Sequence, residues 1–188
     1  MSNTIKSANK TNKKHKSHVK RAFVYDSTQK CTKAICVLNS QHYSGQGIVT
    51  FHQCSQTNQV QVNFLFKHLI PNKTYAIHIH QYGDLTKGCE SLGGHWNPHN
   101  TTHGSLLYPN EPRHAGDLIN NIKTNKNGSF TFSYVDDAIR LRGKYSIIGR
   151  SIVLHEDEDD LGRGKTEQSL QNGNSGKRIL WGVIGVSM

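Results

Sequence analysis

The residues with the most chemistry to offer are the histidines, twelve in 188 positions. Six lie between Ile77 and Ala115, and one more, His155, closes an apolar run. In Ala76-Ile-His-Ile-His80 the two histidines are two residues apart. On a strand, His78 and His80 therefore point to one side while Ile77 and Ile79 point to the other, into a core. That arrangement is a rigid chelating pair. His95, His103, His114 and Asp117 fall in a Gly-, Asn- and Pro-rich stretch able to fold over it. Imidazole suits copper and zinc, and three imidazoles with one carboxylate suit tetrahedral zinc. An all-imidazole set keeps copper accessible in both oxidation states. No Ser/His/Asp-like pattern points to a protein nucleophile. His15, His18, His42, His52, His68 and His99 read as isolated surface or core residues.

Such a constellation needs a stiff scaffold, and the sequence describes one. Short runs rich in β-branched and aromatic residues recur at Ala34–Leu38, Gly47–Phe51, Val60–Phe66, Tyr75–Tyr82, Ser129–Tyr134, Ile147–His155 and Ile179–Val186. Several alternate apolar and polar, as in Val60-Gln-Val-Asn-Phe64, the period of a half-buried strand. Seventeen glycines punctuate the gaps, and no segment has a helical period. The expected class is all-β, a sandwich or Greek-key barrel. Two stretches, 83–117 and 156–177, read as long loops, which usually carry function.

With these residues in view, a resemblance becomes specific. Ala76-Ile-His-Ile-His-Gln-Tyr-Gly-Asp84 resembles the first copper motif of the copper/zinc superoxide dismutases. Gly93-Gly-His-Trp-Asn-Pro98 resembles their bridging-histidine turn, and Arg113-His-Ala-Gly-Asp-Leu118 their zinc motif. Ile148-Gly-Arg-Ser-Ile-Val-Leu-His-Glu156, Asp159-Asp-Leu-Gly162, Gly173-Asn-Ser-Gly-Lys-Arg178 and Gly182-Val-Ile-Gly185 follow in the family's order. The resemblance runs over residues 32 to 188. It implies an eight-stranded Greek-key sandwich or barrel of immunoglobulin-like type with two long functional loops, and a homodimer. It implies one copper ion on His78, His80, His95 and His155, and one zinc ion on His95, His103, His114 and Asp117. Asp159 matches the carboxylate linking a copper histidine to a zinc histidine, and Arg178 the arginine at the mouth of the copper channel. The implied reaction is dismutation of superoxide to O₂ and hydrogen peroxide, with His95 carrying a proton and Arg178 orienting the anion. The family is itself a standard example of electrostatic steering, so attraction of the substrate anion is expected here by resemblance.

Three departures stand out. The segment between His103 and His114 is longer than is usual in the family. Gln168 and Gln171 fall where many members carry charges. Trp181 replaces the cysteine that pairs with the one at the Cys89 position, so Cys89 is expected to be a free thiol. The other cysteines, 31, 36 and 54, form no C-x-x-C pair, and no disulfide is expected.

Residues 1–30 carry eight Lys or Arg against one acid, Asp26, and account for most of the net charge of +10. They read as a basic, disordered arm ahead of a domain at 31–188. The arm has the charge for a sequence-blind polyanion contact. The sequence shows no signal-peptide pattern and no apolar run long enough to span a membrane, so a cytoplasmic home is expected, with a nuclear or virion-associated pool. Its Lys and Asn richness fits an AT-rich genome, a large DNA virus among them. Two other readings compete with an active dismutase. One is a non-catalytic metal-binding or chaperone-like member of the family, against which His155 and Arg178 argue. The other is a nucleic-acid-associated protein in which the arm matters more than the site.

Overall fold

Alternation along the first strands builds one wall of the molecule. The computed structural model describes residues 31–188, so the expectations for residues 1–30 lie outside the described residues. Strands β1 (Cys31–Leu38), β2 (Gln46–Cys54) and β3 (Val60–Lys67) turn Ala34, Cys36, Leu38, Val49, Phe51, Val62, Phe64 and Phe66 inward. They are followed by β4 (Thr74–His80), β5 (Asn121–Lys123), β6 (Phe130–Asp136), β7 (Ser151–His155), β8 (Arg178–Val183) and β9 (Gly185–Ser187). One sheet has the order β6-β3-β2-β1-β9 and the other β5-β4-β7-β8, with all neighbours antiparallel. Period-two burial is what a sheet packed on one face demands. The all-β expectation holds.

The seven sequence runs all appear as strands. The eighth strand that the resemblance implies is β5, three residues long and too short to show a period. The last run divides at Ile184, so that β8 serves one sheet and β9 the other. Asn39 and Trp181 exchange backbone hydrogen bonds at 3.2 and 3.3 Å, stitching the end of β1 to β8.

In the four-stranded sheet, Ile77 and Ile79 of β4 and Ile152 and Leu154 of β7 join the core between the sheets. Their alternate neighbours face outward, yet β7 is buried throughout and so is β4 beyond Thr74. The cover comes from the two long connections, 81–120 and 156–177. The second of these contains a helix the sequence did not announce, α1 (Glu167–Asn172), only six residues long. Thr166 caps it by accepting a hydrogen bond from the Ser169 amide at 3.0 Å, and Gly173 ends it with φ of 65°.

The expectation of no disulfide is corrected. Cys89 and Cys36 are free, as anticipated for Cys89, but Cys31 and Cys54 are joined. The strands run three residues beyond the apolar runs at both Ala34 and Phe51, which makes the two cysteines register partners with Cα atoms 4.0 Å apart.

Candidate metal centre

β4 and β7 lie side by side in the middle of their sheet, with His78 opposite Val153 and His80 opposite Ser151. His78, His80 and, beyond an irregularity at Leu154/His155, His155 stand on the outward face. The chain after β4 returns to the same edge. Gln81 donates its amide to Gly94 O at 2.9 Å and Trp96 donates to Ile79 O at 2.7 Å, so His95 pairs with His80 as a one-residue extension of the sheet. His95 is thereby held above the strand histidines, its ring centroid 3.9 Å from that of His78.

Hydrogen bonds assign the protons on these rings. His80 donates Nδ1–H to Gly93 O at 2.9 Å, and His155 donates Nδ1–H to Gly176 O at 3.3 Å. Both Nε2 atoms are then lone pairs, yet they face one another at 3.3 Å. His78 donates Nε2–H to Asp159 at 2.6 Å, which leaves its buried Nδ1 without a partner. His95 Nε2 is buried and without a partner too. Four imidazole lone pairs therefore converge with no hydrogen between them, an arrangement that only a cation satisfies.

On the other side of the His95 ring the same logic recurs. Asp117 Oδ1 lies 3.0, 2.9 and 3.1 Å from Nδ1 of His95, His103 and His114. The far nitrogens of two of these rings are used elsewhere: His103 donates Nε2–H to Asp159 at 2.8 Å and His114 to Thr101 O at 3.2 Å. Ligands at about 2.0–2.1 Å from a tetrahedral ion stand roughly 3.3 Å apart, close to these separations. Asp117 Oδ2 is fixed by the amides of Gly104 and His114.

Protonation follows burial and charge. Burial lowers His78 to about 4 and, with the neighbouring rings, His95 and His155 to about 3. His80 is driven well below its ordinary value by burial, His95, His155 and the Arg178 charge. These rings stay neutral and ligand-ready. His103 goes the other way: burial opposes its charge, but the hydrogen bonds to Asp117 and Asp159 raise it to about 9. Two carboxylates held anionic by surrounding imidazoles demand a positive charge there, which a proton or a divalent cation supplies.

Asp159 joins the two sides, one oxygen to His78 and the other to His103. Sequence reasoning missed what holds it. Asn120 donates to Asp159 Oδ2 at 3.0 Å, and Asn121 both donates to its carbonyl and accepts its amide. It also missed the carbonyls of Gly93, Thr101 and Gly176, which no side-chain pattern could reveal. Arg178, at the start of β8, donates to Cys89 O and, at 2.6 Å, to Gly93 O. That fork ties the Cys89 loop to the start of β8; Trp181 is half-buried.

Comparison with known proteins agrees with this geometry. The family model for copper/zinc superoxide dismutase (SODC) matches residues 45–184. The chain is similar to a Cu-Zn superoxide dismutase of Saccharomyces cerevisiae, 44% identical over 75% of this chain and 90% of that one. One from Paramecium bursaria Chlorella virus 1 is 45% identical over 74% of this chain and 72% of its own. Among solved structures, that of the clock protein EA4 superposes with a TM-score of 0.75 at 38% identity, covering 87% of this chain and all of the other.

Proposed function

The chain belongs to the copper/zinc superoxide dismutase family, and we propose that His78, His80, His95 and His155 are its copper ligands and His95, His103, His114 and Asp117 its zinc ligands. The protein converts superoxide to O₂ and hydrogen peroxide, with copper and zinc as its cofactors. The observation that carries the ligand assignment is the pair of lone-pair clusters meeting across the His95 ring. Copper held by these four imidazoles would supply one-electron redox chemistry.

The chain's own groups do the rest. Asp159 sets the orientation of His78 and His103 together, so neither ring can turn without disturbing the other side. Arg178 has two of its five N–H groups committed to carbonyls, which aims a fixed positive charge beside His80 and His155. We assign it the role of drawing in and orienting the anion. The two clusters meet through the His95 ring, Nδ1 on the Asp117 side and Nε2 on the other, and we assign to Nε2 the delivery of a proton to the product.

Metal analysis and activity after copper and zinc loading test the assignment. One copper and one zinc per chain are expected, and His95→Ala should bind both ions independently and lose most activity. Wild-type protein that shows no copper preference at the His78/His80 pair would sink it.

A homodimer is the proposed assembly. Exposed Tyr82 and Val183 flank Gly83 on one side of the molecule and are suitable apolar surface for it; a sizing column tests this. Among the described residues no helix is long and apolar enough to cross a membrane. Cytoplasmic residence with a nuclear or virion-associated pool is a further proposal, open to fractionation. For residues 1–30 we propose a basic arm, separate from the 31–188 domain, that contacts polyanions without sequence preference, supported by its eight cations and single acid. A salt-dependent shift on DNA that survives deletion of the arm would overturn that role.

A further inference from the structure

The second concentration of metal-binding groups lies on the opposite side of the sandwich. Cys31 and Cys54 are paired at the ends of β1 and β2, and His52 stands two residues before Cys54 on the same, outward face of the five-stranded sheet. Their ligand atoms all lie within 4.8 Å of one another, and all three residues are half-buried. The dismutase centre occupies the outward face of the other sheet, so the two groups share no residue. Neither the disulfide nor a role for His52 is signalled by the sequence, since only the strand register unites the three.

We propose that the Cys31–Cys54 disulfide is the closed form of a redox-gated site for one cuprous ion, opened by a thiol reductant and completed by His52. Two thiolates and one imidazole make a soft, three-donor set. Such a set suits Cu(I), whereas zinc in a structural site wants four protein donors. Two sulfurs sharing one ion at about 2.3 Å must stand well apart, so the bonded pair cannot hold it. Reduction therefore gates binding. An external dithiol gives two electrons to the S–S bond; that bond breaks, each sulfur takes a proton, and the reductant leaves as its own disulfide. Cu(I) then displaces both thiol protons and binds the two thiolates and the imidazole. Hydrogen peroxide, the product of the dismutation, would take two electrons from the thiolates and leave as two waters, re-forming the S–S bond and expelling the Cu(I) ion.

The test uses holoenzyme with its copper and zinc centres already filled. It is reduced with a dithiol, desalted without oxygen, and titrated with Cu(I) against a chromophoric chelator. Reduced wild type should take one Cu(I) per chain beyond the resident ions, and oxidised protein none. Cys54→Ser should abolish the extra uptake and His52→Ala weaken it tenfold or more, both with unchanged dismutase activity as the check on folding. Cys89→Ser should bind like wild type. No extra Cu(I) in the reduced protein, uptake that survives Cys54→Ser, or preferential uptake of Zn(II) in a parallel titration would each overturn the proposal.

Discussion

Arg178 does two jobs that a single substitution would confound. Its charge faces the rings of His80 and His155, and its two donors hold the carbonyls of Cys89 and Gly93. Gly93 O also receives Nδ1–H of His80, so loss of the fork disturbs a copper-side ring. Arg178→Ala should lower kcat/KM by about 10- to 100-fold, an ordinary 1–3 kcal/mol for a lost orienting charge. Arg178→Lys separates the two jobs. It keeps the charge, so its rate should still fall with ionic strength as the wild type's does. It cannot span both carbonyls in the same plane, so it should melt lower than wild type. Equal salt sensitivity in Arg178→Ala and wild type would remove Arg178 as a steering charge. At this scale the grouping of the ligand-type side chains was legible in the sequence: every histidine and aspartate assigned from the motifs falls in one of the two clusters or joins them. Carbonyl partners and the amides of Asn120 and Asn121 were not legible, because backbone groups have no sequence signature and an asparagine pair reads as turn chemistry.

The loop elements show how tightly the polar cover is fitted. Gly173 ends α1 in a left-handed conformation, directly over the carboxylate that links the two metal sides. A Cβ there would come 2.1 Å from Asp159 Oδ1 and 2.7 Å from His103 Nε2. Gly173→Ala must therefore either push Asp159 off His103 or unwind the end of the helix. Strain of about 1–3 kcal/mol is expected from the backbone conformation alone. The variant should lose zinc more readily on dialysis than copper, since the added Cβ meets Asp159 Oδ1 and His103 Nε2 directly, whereas of the copper-side rings only His78 uses Asp159, through its other oxygen. Wild-type zinc retention would show that the loop yields freely. Elements also explain what the sequence hid. Long alternating runs identified the strands, but three residues at β5 and six at α1 are too few for any period to emerge. Cys31 and Cys54 lay just outside the apolar runs, and only the β1–β2 register brings them together.

Across the molecule, two kinds of cohesion are divided between two regions. The sandwich is held by a continuous apolar core contributed by both sheets. The covering segments contribute little to it. Leu118 belongs to that core and Trp96 packs against it, but no residue of 156–177 takes part. What fastens the cover is polar: the Asp159 links, the His103 amide on Leu170 O at 2.8 Å, and an exposed Arg163–Glu111 pair that is worth little in water. Metal ions bound to His95, His103, His114 and Asp117 on one side, and to the strand histidines on the other, would tie this cover to the sheet. Metal removal should accordingly act on one region first. Ligand linkage gives about 4 kcal/mol for an ion at a thousand times its Kd. For a domain of this size that corresponds to a fall in Tm of roughly 8–16 °C per ion removed. Hydrogen exchange should localise the loss. In chelator-treated protein, amides of 99–117 and 156–177 should exchange much faster, while those of β1, β2, β3 and β6 should keep most of their protection. Dithiol treatment of the metal-loaded protein should give the inverse pattern, with exchange rising at the Cys31 and Cys54 ends of β1 and β2 and the cover unchanged. A uniform rise across both sheets on metal removal would mean that the cover and the core unfold as one unit, and that the division between apolar and ligand-held regions does not govern stability.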